Sequence, residues 1–414
     1  MMLTVLLRSR EFNSMIFLIF LVTYEIFILI KSIVVFLKYC KDSDIYIYDQ
    51  SLKNSPVIYV VICFHKEYSI FLDTIKYFNK FISDNIKVSI ICGSQKDYNF
   101  AQKNMKEYNS QISVILDTSH ESTKTTKLNY FLDSIGESSG SYLAVYDFDS
   151  RPHHKTFNWV LNVLNNSKKK HQVFQQIPLS IYPVNNNIFV KNYFIQHLRR
   201  NLAIEGRNIL FKEGNVRYLS GSGMIIETDL LKKIGGFPKF SDDIELGIRM
   251  INLGIRETII PFYTINNMVP NIKKLKEQLY RIFFGYFSNI RLLFSVKFPN
   301  IVYLMLDLFR DLFVILFATL GIVWSIISNN YLWLIIYLAV MIFVNSLYYI
   351  LSRKIHRIST HNVFSIKQFV KIFLENILLI LFYYSIRSIC LIQVLVNRGN
   401  IENLFKQSSG EEKE

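Results

Sequence analysis

Cysteine is scarce in this chain: four in 414 residues, at Cys40, Cys63, Cys92 and Cys390, with no Cys-x-x-Cys pair among them. Such scatter excludes a disulfide framework and a structural zinc site, and fits reduced thiols in a cytoplasmic setting. An internal repeat is also missing, which argues against a transporter built from paired halves. No small-residue cleavage site follows the first apolar run, so that run reads as an uncleaved anchor rather than a signal peptide. Nor is there a module of interleaved basic and aromatic residues that would read nucleic acid. The formal charge of +15 is then best matched to an anionic membrane surface. What the chain has in quantity is apolar surface, 51% hydrophobic residues and 15% aromatic. These concentrate at Met15–Leu37 and again from about Ile301 to Val396.

Met15–Leu37 has the length of a bilayer-spanning helix. Glu25 lies near its middle and Lys31 is too far round the helix to pair with it, so Glu25 is expected to face other helices or to be protonated. Past a polar linker, apolar runs at Pro56–Cys63, Ile86–Ile91, Ile112–Leu116, Tyr142–Tyr146 and Gln172–Leu179 read as strands. Between them, Ser69–Phe81, Tyr98–Tyr108, Thr125–Ile135 and Thr156–Asn165 read as helices. That alternation predicts an α/β fold with a mostly parallel sheet covered by helices on both faces. Ligands on such sheets bind beyond the carboxyl ends of the strands. Asn185–Phe211 and Asn271–Lys297 mix bulky apolar with basic residues: the first could rest on a membrane surface or cover a site, and the second reads as an interfacial helix. A strand is expected at Glu257–Pro261. Three further spans are expected at Asp311–Ile327, Tyr331–Leu351 and Phe369–Val394, four in all. The basic stretch Ser352–Lys371 places that loop, and with it the middle domain, in the cytoplasm. The expected organisation is an anchor (1–40), an α/β domain (55–270), an interfacial region (271–300), membrane helices (301–396) and a polar tail (397–414).

The fourth strand runs into Asp147-Phe-Asp149-Ser-Arg-Pro152. On a strand, side chains two apart share a face, which would aim both carboxylates one way and Phe148 into the core. Two adjacent carboxylates repel unless a divalent cation sits between them and a phosphate. The alternative is a strand ending in turn-forming acids. Lys124-Thr-Thr-Lys-Leu-Asn129 opens the preceding helix, where Lys124 and Asn129 could hold phosphate or sugar hydroxyls, or could simply form an exposed, capped helix start. Gln175-Gln176-Ile-Pro178 ends a strand with amides that could face a sugar, and Ser220-Gly-Ser-Gly223 is a small-residue turn. Asp242-Asp243-Ile-Glu245 begins a helix: it is either a capping box or carries a general base in Asp243, with Asp242 beside it raising its pKa. Gln278-Leu-Tyr-Arg281 opens the second interfacial segment, where Arg281 could meet a departing diphosphate or a lipid headgroup.

In order and spacing this set resembles the family 2 glycosyltransferases, and more closely the membrane-embedded synthases of cellulose, hyaluronan and bacterial capsular polysaccharide. The likeness spans roughly Pro56–Val396. It implies a GT-A fold and an inverting enzyme that uses a nucleotide sugar, a UDP-sugar above others, with Mg²⁺ or Mn²⁺. It implies that Asp149 holds the metal, with Asp147 on the metal or nucleotide, and that Lys124, Asn129 and Glu67 lie on the donor side. Asp243 would be the base and Asp242 its neighbour. Gln278 and Arg281 would steady the diphosphate or acceptor, and Gln176, Gly221, Ser222 and Gly223 would line the acceptor path. The implied acceptor is a growing saccharide or a lipid-linked one, at the cytoplasmic face of the cell membrane. Ile282 stands where the family usually has Trp, and Cys92 where it usually has an Asp. Two other outcomes stay open: transfer of one sugar to a lipid, and a nucleotide-sugar-binding membrane regulator without catalysis.

Overall fold

The computed structural model describes residues 2–43, 55–106, 112–119, 123–136, 140–180, 188–202, 213–215, 219–238, 243–298, 300–329, 331–360 and 380–396. Asp242 and the polar tail lie outside them, as does most of the basic stretch that was to set the topology.

A long N-terminal helix, α1 (Met2–Ser43), leads to β1 (Ile58–Phe64), a short 3-10 turn and α2 (Phe71–Asn79). Then follow β2 (Ile86–Cys92), α3 (Gln95–Met105), β3 (Ser113–Leu116), α4 (Lys124–Ser134), β4 (Tyr142–Tyr146), β5 (Arg151–Pro152) and α5 (Thr156–Asn166). Next come β6 (Val173–Ser180), α6 (Ile188–Arg200), β7 (Glu213–Asn215), β8 (Met224–Glu227), α7 (Thr228–Lys233), α8 (Ile244–Asn252) and β9 (Arg256–Asn266). The chain closes with α9 (Ile272–Ser288), α10 (Ile290–Phe294), α11 (Asn300–Ile327), α12 (Leu332–Thr360) and α13 (Ile380–Val396).

The strands form one sheet in the order β3-β2-β1-β4-β8-β6-β9-β5, with β7 also pairing with β9. The pairs β1 with β2, β1 with β4, β2 with β3 and β6 with β9 are parallel. Because β8 runs antiparallel to both β4 and β6, those two point the same way. Six strands therefore end along one edge of the sheet. Both faces are covered, as the alternation of strands and helices requires. Val60 and Ile62 pack with Phe71, Ile75, Phe78, Phe157 and Val160 on one side. Val61 and Val145 pack with Leu128, Phe131, Leu231 and Ile248 on the other.

Beyond shifts of a residue or two at strand ends, the sheet differs from the expected one around its prolines. β9 continues five residues past Pro261, and the ladder with β6 shifts register between Gln176 and Pro178. A proline without an N–H is tolerated where a bulge takes it out of the ladder. Pro152, expected only to stop β4, lies in β5, paired with Thr264 of β9 at the end of the strand order.

Leu18–Lys38 is the one stretch among the described residues that is long and apolar enough to cross a membrane. The apolar stretches Leu312–Ile327, Leu334–Tyr348 and Ser385–Val396 are shorter than a full span. α12 also carries the helix through Arg353, Lys354 and Arg357 to Thr360, where a loop was expected. Glu25 faces protein: its carboxylate lies 2.6 Å from Arg199 Nη2 of α6, and both side chains are buried. Around this pair, Leu29, Val35 and Phe36 of α1 pack with Phe194 and Leu198 of α6, Val344 and Tyr348 of α12, and Ile177 and Tyr263 of the sheet.

Candidate active site

β4 stops at Tyr146, one residue short of the acidic pair. Asp147 and Asp149 occupy a turn instead, closed by Ser150 N–H donating to Asp147 O at 2.9 Å. The strand geometry expected for the pair therefore does not apply to it. Phe148 does go into the core, against Phe64 and Phe71. Around the turn, Asp149 Oδ2 accepts from Asn267 N–H at 2.9 Å, in the segment that leads from β9 to α9. Burial, and then the like charge of Asp147, push the Asp149 carboxyl above its ordinary range. Asp147 is more open, and its Oδ1 lies 2.8 Å from Lys124 Nζ.

Lys124 opens α4 behind Thr123, which caps the helix: Thr123 Oγ1 accepts from Thr126 N–H at 3.2 Å, and Thr126 Oγ1 accepts from Thr123 N–H at 2.9 Å. With its own N-terminus capped, the helix presents Lys124 to two acceptors, Asp147 and the Gly221 carbonyl at 2.5 Å. Lys127, one turn on, is buried and donates to Phe64 O at 3.2 Å, at the carboxyl end of β1.

The turn before β8 joins these groups. Ser222 Oγ lies 2.7 Å from Ser150 Oγ and accepts from Asp147 N–H at 3.3 Å. Gly223 has a positive φ of 82°, and a Cβ there would come within 2.9 Å of Gln176 O. Gln175 holds the same turn: its Oε1 accepts from Ser220 N–H at 3.0 Å, and its Nε2 donates to Gln176 O at 2.8 Å. Leu219 N–H donates to Asp243 O at 3.2 Å. Leu219 and Gly221 are two residues apart, at most ~7 Å even in extended chain. One short turn thus links the main chain of Asp243 to the Lys124–Asp147 pair. Asp243 caps α8, its Oδ1 accepting from Ile244 N–H at 2.7 Å.

Beyond β1, Lys66 takes a positive φ of 63°. A non-glycine residue in that region marks local strain of the kind found at sites. It brings Glu67 back so that its Oε2 accepts from His65 N–H at 2.7 Å. The Glu67 carboxyl is pushed up to about 7, chiefly by burial, with Asp149 adding to the rise and Lys127 opposing it. Nearby, buried Asp97 accepts from Tyr68 Oη at 2.7 Å and lies 3.9 Å from His65 Nδ1.

Not every expected residue faces a ligand. Asn129 spends both ends of its amide on Phe237, donating to its carbonyl at 2.8 Å and accepting from its N–H at 2.7 Å. Gln176 is fully buried, its Oε1 taking Tyr146 Oη at 2.7 Å and its Nε2 donating to Thr156 Oγ1 at 2.8 Å. Both are tie points of the framework in this structure. Gln278 meets Tyr193 of α6 at 3.3 Å, while Arg281 is exposed on α9. Sequence reasoning missed His65, Lys127, Arg151 and Asn267. Of these, Lys127 and Arg151 stood beside residues already singled out, within one helical turn and two positions respectively.

Asp147 and Asp149 offer carboxylate oxygens at the carboxyl edge, a donor type that suits a hard divalent cation. Among the described residues no cluster of three His, Cys, Asp or Glu side chains could by itself hold an ion. A pair such as Asp147 and Asp149 fits a cation whose remaining ligands are phosphate oxygens and water.

Residues 55–276 match the family described as Glycosyltransferase like family 2. No curated protein matches the chain. Among solved structures, a mannosyltransferase, PcManGT from Pyrobaculum calidifontis in complex with GDP-Man and Mn2+, is similar over 97% of this chain and 100% of its own, at 12% identity and a TM-score of 0.48. GalNAc-T7 with UDP, GalNAc and Mn2+ matches over 58% of this chain and 51% of its own, at 11% identity and a TM-score of 0.40. A mycobacterial protein matches over 57% and 76%, at 14% identity and a TM-score of 0.38.

Proposed function

The chain belongs to the glycosyltransferase-like family 2, and from that premise we propose that it is an inverting, cation-dependent enzyme that moves a sugar from a nucleotide donor, a UDP-sugar above others, to an acceptor presented at a membrane. The observation that carries this reading is the network joining Asp147, Lys124, Gly221, Leu219 and Asp243. It ties the residues assigned to the donor diphosphate to the residue assigned to the acceptor.

Asp149, with Asp147 beside it, would hold Mg²⁺ or Mn²⁺, which when bound neutralises the diphosphate and stabilises it as a leaving group. Lys124, already on Asp147, adds positive charge at the same pole. Asp243 takes the proton of the acceptor hydroxyl as that oxygen attacks the anomeric carbon from the face opposite the leaving diphosphate, inverting the configuration in one displacement. Gln278 and Arg281 on α9 are assigned to the acceptor or departing-diphosphate side, and Gly221, Ser222 and Gly223 to the acceptor path.

Embedding in a membrane is supported by side-chain distribution. Phe20, Phe27, Ile30, Leu37, Phe313, Leu316, Val323, Ile335, Phe343, Ile392 and Leu395 are exposed, whereas Glu25, Ser32, Ser325, Asn345 and Arg387 are buried. Polar groups inside and apolar groups outside is the order a bilayer imposes. The helices α11–α13 would then join α1 as a multi-pass bundle with the sheet domain in the cytoplasm, serving surface or capsular polysaccharide synthesis. Ile282 in place of the family's Trp favours a second outcome within the same chemistry, transfer of a single sugar to a lipid acceptor.

The test is purified full-length protein in lipid nanodiscs, assayed against a panel of labelled nucleotide sugars with Mg²⁺, Mn²⁺ or EDTA. A UDP-sugar is expected to be turned over only with the cation. Asp243→Asn is expected to lower turnover by roughly 10²–10⁴-fold. Full activity of that variant would remove the proposed base. Product size separates a polymer from a single glycolipid.

A further inference from the structure

The acidic turn is gripped through its main chain by groups that stand outside the donor-binding set. Arg151 Nη1 donates to Phe148 O at 3.2 Å and to Ser150 O at 2.9 Å, and its Nη2 donates to Thr74 Oγ1 at 3.0 Å. Thr74 Oγ1 donates in turn to Phe148 O at 2.9 Å. One turn along α2, Tyr77 Oη donates to Pro152 O at 2.5 Å, and the Arg151 guanidinium lies 5.4 Å from the Tyr77 ring centroid. Three carbonyls between Phe148 and Pro152 are thus fixed by Arg151 and two side chains of one helix. None of these hydrogen bonds uses a carboxylate oxygen of Asp147 or Asp149.

Two repelling carboxylates in a short turn would relax apart unless the backbone beneath them were held. A guanidinium suits that task because its planar, multi-donor fork can engage several acceptors at once, which the single ammonium of lysine does less well. β5 completes the hold: Arg151 and Pro152 pair with Ile265 and Thr264 of β9, just before Asn267 donates to Asp149.

We propose that Arg151, braced by Thr74 and Tyr77, is a positioning residue that presets the Asp147–Ser150 turn to receive the cation and diphosphate of the donor, an inference that rests on the glycosyl-transfer reading above. It predicts a loss confined to cation-dependent binding, since Arg151, Thr74 and Tyr77 hold only the main chain of the acidic turn and Glu67, also placed on the donor side, lies apart from them beyond β1.

The probes are Mn²⁺ with UDP and Mn²⁺ with GDP. They are bound to full-length protein in nanodiscs and read by the electron paramagnetic resonance of free and bound Mn²⁺, with each nucleotide also titrated in EDTA by calorimetry. Arg151→Met is expected to weaken Mn²⁺–nucleotide binding by about 10–100-fold, and Arg151→Lys to recover only part of that loss. Thr74→Val, which removes the hydroxyl that both accepts from Arg151 and holds Phe148 O, is expected to fall between wild type and Arg151→Met. Nucleotide affinity in EDTA should stay within about twofold of wild type in every variant, a separation that general loosening would not give. The inference is overturned if Arg151→Met and Thr74→Val bind Mn²⁺–nucleotide as wild type does, or if they lose cation-free binding in equal measure. Should Arg151→Met fail to fold, Thr74→Val decides alone. Wild-type protein binding neither Mn²⁺–nucleotide pair would instead overturn the donor-site reading, and this proposal with it.

Discussion

Glu67 carries the proton whose position in the pH scale can be read most directly. Its carboxyl is pushed up to about 7 from an ordinary 4.5, because burial outweighs the hydrogen bond from His65. The folded chain therefore holds this proton over a window where the unfolded chain has released it. Stability falls as pH rises through that window and is lowest above about 7. Glu67→Gln removes the penalty, so the variant should melt a few degrees above wild type at pH 8, a gain on the order of 2 kcal/mol, with the difference vanishing near pH 4.5. Thermal unfolding at both pH values checks this. Asn129→Ala tests a different assignment. It removes both hydrogen bonds to the Phe237 main chain and should cost about 1–3 kcal/mol of stability, measured by denaturant unfolding. Asp147, Asp149 and Asp243 could be singled out from sequence only through the order and spacing of the whole set, because an acid ending a strand or capping a helix is ordinary by itself, and Asp243 does cap α8. Asn129 and Gln176 could not be told from ligand contacts, because an amide serves a sugar and a backbone equally well and only the fold says which is in reach.

Among the elements, the turn before β8 is the most constrained. Gly223→Ala would place a methyl group 2.9 Å from a carbonyl in a left-handed backbone, whereas Gly136→Ala, at a φ of 59°, meets nothing within 4 Å. Both substitutions carry backbone strain of about 1–3 kcal/mol, but only Gly223→Ala must also displace Gln176. Paired melting curves should show the larger loss at Gly223, accompanied by loss of activity. Strand positions were legible: β4 was expected at Tyr142–Tyr146 and lies there, since a buried parallel strand is a continuous apolar run. The short strands β5 and β7 were not legible, because two or three residues carry no periodicity and pair only where a neighbouring strand offers an edge. The extension of β9 past Pro261 was hidden for the related reason that a bulge, which no local pattern announces, absorbs the proline.

At the scale of the whole molecule, the apolar first helix and the sheet domain share one buried ion pair, Glu25 with Arg199. Replacing one partner alone should be costly, since it strands a charge. Glu25→Leu is expected to destabilise by about 3–5 kcal/mol, and Glu25→Leu with Arg199→Leu by clearly less. Unfolding of the single and double variants in detergent measures the coupling. From the sequence, Glu25 was expected either to face other helices or to be protonated, and it faces protein. The sequence could not show that the partner sits on α6, because that contact exists only once the sheet has brought α6 back against α1. The pairing has a consequence for biogenesis. Glu25 leaves the ribosome long before Arg199 does, so under the membrane reading proposed above the first helix would meet the bilayer with an unmatched acid until most of the sheet domain has been made. Under that same proposal, insertion and folding would be one event rather than two, and a foreign apolar helix grafted in place of α1 would leave Arg199 without its partner and the domain unfinished.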